Sequence, residues 1–421
     1  MTDPSVTSPT TDAGAGPLAG VRVLELATVI MGPYGAQLLG DLGADVIKVE
    51  TDRGDGSRVM GGGPHPELSG IALNLHRNKR SIGLDLKHPT GRDVVLRLLE
   101  RCDVLVTNLR PEPLRRLGLD WDSLAGTFPR LVHCQAQGFR SDTAESARPA
   151  YDDIIQALTG FPQLTGMAFG DLHFAPSIIA DKVAGMFIAQ GVLAALFARE
   201  RTGRGQHVEI PMFDAALAFN LVEHLARAAV PDGGPPGYNR VLTPHRGPHR
   251  TTDGYVAMMP YTDAQWEALF EAVGKSHLLR EPWFVDHRSR LANADEVYGL
   301  LASIVRERST AEWLELCHER GIPASPVPEL ADIVSDPAHH RDVLAVAEHP
   351  VVGEYRDIRQ PIRFSETAPV TNRPAPLRAQ DTDAVLALAG YAAAEIDALI
   401  ETGAVQRRAN HPLPEPGAAP T

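Results

Sequence analysis

The sequence predicts an α/β protein with a large, mostly parallel sheet and a second, smaller α/β domain. Three observations carry this. Between residues 21 and 138, short apolar runs alternate with helical patterns at the spacing of strand–helix–strand units. A stretch dense in Pro and Gly, residues 231–247, breaks the chain in its second half. The 421 residues, 43% hydrophobic and 22% charged, are enough for two or three units of about 150 residues, each with its own core.

In chain order, residues 21–26 read as a strand, 33–42 as a helix, 45–50 (DVIKVE) as a second strand and 80–84 as a third. Residues 90–101 read as a helix with Thr90 as N-cap and Asp93 three residues on, close to a capping box. Residues 103–107 (DVLVT) and 131–136 are further strands. A helix follows over 181–200, then a Gly-punctuated turn (Thr202-Gly203-Arg204-Gly205-Gln206), a strand over 207–211 and a helix over 214–227. Past the break, 254–259 is a strand, and 263–273 and 311–320 are helices. Two helical patterns close the 345–405 region, which is expected to return to the first domain. The expected division is 17–230 for the first part of the large domain, 231–247 as linker, 248–335 as the small domain, and 336–405 as linker and return. Residues 1–16 and 406–421 are low in periodicity and read as disordered.

Several classes are disfavoured. Lys and Arg number 40 against 53 Asp and Glu, a net charge of −13, whereas general nucleic-acid binding needs a basic footprint. Three cysteines, none in a C-x-x-C pair, make neither a disulfide framework nor a zinc site. Residues 1–16 lack the basic start and apolar run of a secretion signal, so a reducing cytoplasm is expected. Residues 183–198 are apolar except for Gln190, but fall short of the ~20 needed to cross a bilayer. They read as a helix buried on most faces, and no membrane association is expected.

The opening strand–glycine–helix–strand invites a dinucleotide reading, with Glu50 where an acid would bind a ribose. The run Met31-Gly32-Pro33-Tyr34-Gly35 lacks the G-x-G-x-x-G spacing, so the glycines are better read as allowing close helix–sheet contact, with Pro33 starting the helix. The basic cluster Arg77-Asn78-Lys79-Arg80, with Lys87, Arg110, Arg115 and Arg116, is either a solvated face or a site for a phosphorylated ligand. His245 and His249 have i, i+4 spacing, but Gly247 and Pro248 between them argue against a helix and so against a metal. Asp181, after an apolar run, reads as an N-cap; the helix dipole would keep its carboxylate ionised, and such a group is able to act as a nucleophile.

Longer runs carry a family resemblance. They include Leu18-Ala19-Gly20-Val21-Arg22-Val23-Leu24-Glu25-Leu26, Leu42-Gly43-Ala44-Asp45-Val46-Ile47-Lys48-Val49-Glu50 and, most specific, Asn78-Lys79-Arg80-Ser81-Ile82 with Leu84-Asp85-Leu86-Lys87. Tyr151-Asp152, Asp181 with Gly185, and Gly321-Ile322-Pro323 extend it over about residues 17–402. The chain resembles the class III CoA-transferases, such as formyl-CoA and carnitine CoA-transferases, and the related α-methylacyl-CoA racemases. The resemblance implies a large Rossmann-like parallel-sheet domain built from both ends of the chain, a small α/β domain between, and an interlocked homodimer. It implies coenzyme A, carried as acyl-CoA, and a carboxylic acid as substrates, without a metal.

It also implies residue roles. The family's catalytic Asp falls on Asp181, which would pass through an aspartyl anhydride and an aspartyl-CoA thioester. Lys87, Asn108 and Arg116 match CoA-contacting positions, as do Leu84, Leu109 and Arg110 in the surrounding motifs, and Tyr151 is counted with them. Arg148 lies one position from a basic contact, and Thr51 replaces a family Arg for which Arg53 would compensate. Arg246-Gly247-Pro248 stands where some members carry a run of glycines. The racemase branch has a His thirty residues before the Asp, where this chain has Tyr151, as transferases do. A racemase needs an acid/base near neutrality, for which a tyrosine of pKa ~10 is poorly suited. An acyl-CoA isomerase of racemase type and a non-catalytic CoA-binding paralogue are the alternatives.

Overall fold

The structure, a computed structural model, describes residues 16–369 and 373–408. The expectations for residues 1–15 and 409–421 lie outside the described residues. Two compact units emerge: one from the chain through Ile155, Ile178–Ala216 and the chain from Arg341 on; the other from Gln156–Ser177 and Leu217–His340. The chain changes unit at Ala216, earlier than the expected 231–247 break. The helix Met212–His224 is continuous there: Met212, Ala215 and Ala216 are buried in the first unit's core, while Phe219 and Val222 are exposed.

The first unit is built on a seven-stranded sheet. Its strands are β1 (Arg22–Leu26), β2 (Asp45–Glu50), β3 (Lys79–Leu84), β4 (Val104–Thr107), β5 (Val132–Gln137) and β6 (His207–Pro211), with the last described strand of the chain, Val405–Gln406, at one edge. The parallel order is β3-β2-β1-β4-β5-β6, and Val405–Gln406 adds antiparallel to β3. This is the order of the doubly wound fold, with its switch point between β1 and β4, where ligands bind beyond the strands' carboxyl ends. The two sheet faces bury separate apolar clusters: one around Val23, Val46, Val106, Ala184 and Ile188, the other around Leu24, Ile47, Leu98 and Leu386. Gln406 belongs to the sheet, and Arg408 pairs with Glu67 at 2.8 Å, so the disorder expected from 406 does not begin there.

Local chemistry corrects several expected ends. The helix expected to begin with Thr90 as cap spans Pro89–Leu99; Pro89 takes its favoured first position and the His88 ring accepts from the Thr90 N–H at 3.3 Å. The first helix spans Met31–Asp41, two residues earlier than Pro33 suggested. The long helix spans Ile179–Thr202 and ends on Gly203 at φ 71°. It packs on β5, β6 and the first helix, yet Met186, Phe187, Leu193 and Phe197 are exposed, so it is not buried on most faces. By length and composition this helix would also pass as a membrane span, with half of its most apolar window buried. Glycine brings the two helices together: a Cβ on Gly35 would lie 2.5 Å from Ile188 Cγ2, and one on Gly185 2.7 Å from Tyr34 Cδ1. The close approach at Gly35 is therefore helix to helix rather than helix to sheet.

The second unit holds a three-stranded sheet of β7 (His249–Arg250), β8 (Tyr255–Met258) and β9 (Ala324–Pro326). Helices Asp263–Ala272, Ala294–Val305 and Thr310–Glu319 close a core around Trp266, Phe270, Phe284 and Trp313. The hairpin of β10 (Leu344–His349) and β11 (Gly353–Ile358) belongs to the first unit and has no counterpart in the expected elements.

Candidate active site

Asp181 sits in the first turn of the long helix, half-buried. It is not the cap. The cap position is Ile178, which makes no side-chain cap bond; Asp152, from the helix Asp152–Leu158, reaches over instead. Asp152 Oδ1 accepts the N–H groups of Ala180 at 2.7 Å and Asp181 at 3.1 Å, satisfying two of the orphan donors at this helix start. The backbone N–H of Met31, the first residue of the first helix, favours the charged form of the Asp181 carboxyl. Burial, with the negative charge of Asp152 beside it, outweighs that donor and pushes the Asp181 carboxyl up to about 7. The expectation that the helix dipole keeps it ionised is thus overturned: removal from water is the larger effect, and near neutrality the group is divided between its two forms.

The Met31 donor is presented by the turn that leaves β1 at the switch point. Asn108, just past β4, clasps this turn: its Oδ1 accepts Thr28 N–H at 3.0 Å and its Nδ2 donates to Thr28 O at 2.8 Å. The amide expected to contact CoA is therefore engaged with the main chain. Leu109, beside it, lines a cavity of about 810 Å³ together with Thr51, Asp52, Arg53, Asp85, Leu86, Lys87, Pro113, Arg116, Leu117, Gly403 and Gln406. Of the expected contacts, Arg53, Lys87, Leu109 and Arg116 meet here, with Thr51 also in the lining. Arg110 and Arg116 line an adjoining cavity of about 400 Å³ with Arg115 and Ser146.

Other expected residues fall elsewhere. Leu84 is fully buried in the core, in register with Val405, so its side chain reaches no ligand. The Arg148 guanidinium lies 5.4 Å from the Phe139 ring centre and lines neither cavity. Tyr151 is 70% exposed, next to the capping Asp152. The Arg77–Arg80 cluster is neither a solvated face nor a phosphate site: Arg77 pairs with Asp41, Lys79 with Glu25 and Arg80 with Asp45, all within the first unit. Glu50, the ribose candidate, is held by Arg58 and Ser81. In the second unit, Arg246, Gly247 and Pro248 line a cavity of about 470 Å³ with His249, Tyr298 and Ser325. Among the described residues no group of three or more His, Cys, Asp or Glu is arranged to hold a metal.

Sequence reasoning missed three contributors: Asp152 as cap, the Met31 N–H, and the chain's late segment at Gly403 and Gln406. Only Asp152 left a signal, in the run Tyr151-Asp152-Asp153.

The half-buried Asp181 carboxyl stands near the sheet's switch point, and Arg53, Lys87 and Arg116 line a cavity with Asp52 and Asp85; comparison with known proteins says which class of enzyme carries them. The chain belongs to CoA-transferase family III, whose family model matches residues 18–382. It is 33% identical over 375 residues to the succinyl-CoA:mesaconate CoA-transferase of Haloarcula marismortui, covering 86% of this chain and 93% of that one. It is 35% identical over 340 residues to the succinyl-CoA–L-malate CoA-transferase beta subunit of Chloroflexus aurantiacus, covering 78% and 83%. Its fold matches a crystal structure of a CAIB/BAIF family protein from Brucella suis, with TM-score 0.75 and 29% identity over 89% of this chain and all of that one.

Proposed function

We propose that the enzyme moves CoA from an acyl-CoA donor to a free carboxylic acid by covalent catalysis at Asp181. The observation that carries this is the Asp181 carboxyl, half-buried in the first turn of the long helix beside the capping Asp152. An Asp181 carboxylate oxygen attacks the donor thioester carbon; the C–S bond breaks and CoA leaves as thiolate, giving a mixed anhydride. The thiolate attacks the aspartyl carbonyl, the donor acid departs, and an aspartyl-CoA thioester remains. The acceptor carboxylate attacks that thioester, and the thiolate released takes the acceptor acyl group from the second anhydride. The Met31 N–H suits the oxyanion that forms on the aspartyl carbonyl. The relatives named above support a carboxylate acceptor.

The 810 Å³ cavity supports the CoA site: Arg53, Lys87 and Arg116 suit phosphates, and Leu86, Leu109 and Leu117 an adenine face. We also propose an interlocked homodimer in the cytoplasm. The exposed Met186, Phe187, Leu193 and Phe197 on one helix support a second copy as cover, and three unpaired thiols support a reducing compartment.

The test is donor acyl-CoA followed by hydroxylamine and mass spectrometry. A hydroxamate at Asp181 is expected, and Asp181→Ala should lose at least ~10³-fold in transfer. Full transfer by the alanine variant would overturn the mechanism.

A further inference from the structure

Alternation along β1, β2 and β3 calls for apolar residues under the first helix, and Val23 and Val46 obey it. Further along the same face stand Glu25, Lys48 and Lys79, all fully buried, joined by Asp55 at 3% exposure. Lys48 Nζ lies 2.8 Å from Glu25 Oε1 and 2.7 Å from Asp55 Oδ2, and Lys79 Nζ lies 2.8 Å from Glu25 Oε2. Buried ion pairs are a poor source of stability, since desolvation consumes most of their attraction. These four do something else as well. Lys48 Nζ donates to Ala27 O at 2.8 Å, Asp55 Oδ1 accepts Val29 N–H at 3.0 Å, and Lys79 Nζ donates to Pro33 O at 2.8 Å. Three of the four thus grip one turn, at both sides of Met31.

That turn is strained. Val29 has φ 70°, a left-handed conformation that a β-branched residue adopts only when its surroundings impose it. The imposing contacts are the three above and the Asn108 clasp on Thr28. We infer that the buried Glu25–Lys48–Asp55–Lys79 quartet is a positioning device, which holds the 27–33 turn so that the Met31 N–H meets the Asp181 carboxylate. The inference rests on Asp181 being the nucleophile. Asp152, bonded to the Asp181 N–H, disfavours the carboxyl's charge, and the Met31 N–H favours it; the Met31 backbone lies against the same helix, its O 3.1 Å from where a Cβ on Gly185 would stand. Loosening the turn removes the favourable one.

The experiment compares Asp55→Ala and Lys79→Met with Arg77→Met, which breaks a buried ion pair away from the turn. Formation of the hydroxylamine-trapped Asp181 adduct is followed against pH, and the Met31 amide is followed in protein labelled with ¹⁵N-methionine. In the wild type, the amide should titrate with the same midpoint as the acid limb of adduct formation. In Asp55→Ala and Lys79→Met the acid limb should move up by about one pH unit, as loss of one hydrogen bond to a charged group requires, and the amide response should shrink. Arg77→Met should lose stability with neither change. An unmoved limb in a folded Asp55→Ala or Lys79→Met would overturn the quartet's role. Should both variants fail to fold, a wild-type Met31 amide that ignores the acid limb would do the same. Full transfer by Asp181→Ala would instead remove the nucleophile and leave the Met31 titration to be read on its own.

Discussion

Replacing Asp181 by Asn should stabilise the protein, and the gain should depend on pH. The carboxyl's proton affinity rises from an ordinary 3.8 to about 7 on folding, through burial and the charge of Asp152. Each tenfold in proton affinity is about 1.4 kcal/mol. The ionised form therefore costs the fold about 4 kcal/mol before screening, and about 1–2 kcal/mol once water at a half-buried site is counted. Between about pH 4 and pH 7 the folded chain keeps a proton that the unfolded chain has released, so wild-type stability falls as pH rises through that window. Asn resembles the protonated acid and has no such fall. The two proteins should match near pH 4, diverge up to pH 7 and stay apart by about 1–2 kcal/mol at pH 8. Urea midpoints at equal protein concentration, with unchanged slopes, measure this. A variant less stable than wild type at pH 8, or a difference flat with pH, would refute the desolvated carboxyl. The same protonation should make covalent labelling of Asp181 fall below about pH 7.

Three further outcomes are expected. Lys87→Ala and Arg116→Ala should each raise KM for acyl-CoA by about tenfold, the scale of one charge-assisted phosphate contact, with little change in hydroxylamine trapping at saturation. Gly35→Ala should lower urea stability by about 1–2 kcal/mol, since the overpacking against Ile188 exceeds the gain in helix propensity. An interlocked dimer should persist at nanomolar concentration and fail to exchange with a tagged copy over hours; a native monomer on dilution would exclude it.

How far the sequence could be read follows from the range of the interactions concerned. Asp45–Glu50 and His207–Pro211 lie where the residue pattern puts them, because a strand's faces repeat every two residues. The Pro89 rule for helix starts was available and points to His88 rather than Thr90. Arg77, Lys79 and Arg80 resemble surface charge because their partners Asp41, Glu25 and Asp45 lie 35 or more residues away, beyond any local pattern. The Met31 N–H has no side-chain identity to read. The long helix is apolar nearly all round, so its period does not separate the face on the sheet from the face bearing Phe187 and Phe197. The motif points to Asp181, yet its raised proton affinity comes first from burial and then from Asp152, and only the fold supplies either.

One edge of the sheet carries a lesson about biosynthesis. The cavity lined by Lys87 and Arg116 takes part of its wall from Gly403 and Gln406, and the strand Val405–Gln406 closes on Leu84 and Gly83 from more than 320 residues downstream. At about 5–20 residues per second, a ribosome needs roughly 16–64 s to make the intervening chain. Throughout that interval the β3 edge stands open, a template for wrong pairing until Val405–Gln406 covers it. A nascent chain therefore has this cavity incomplete until its last stretch emerges, and a chain clipped before residue 403 would lose that wall while retaining Asp181.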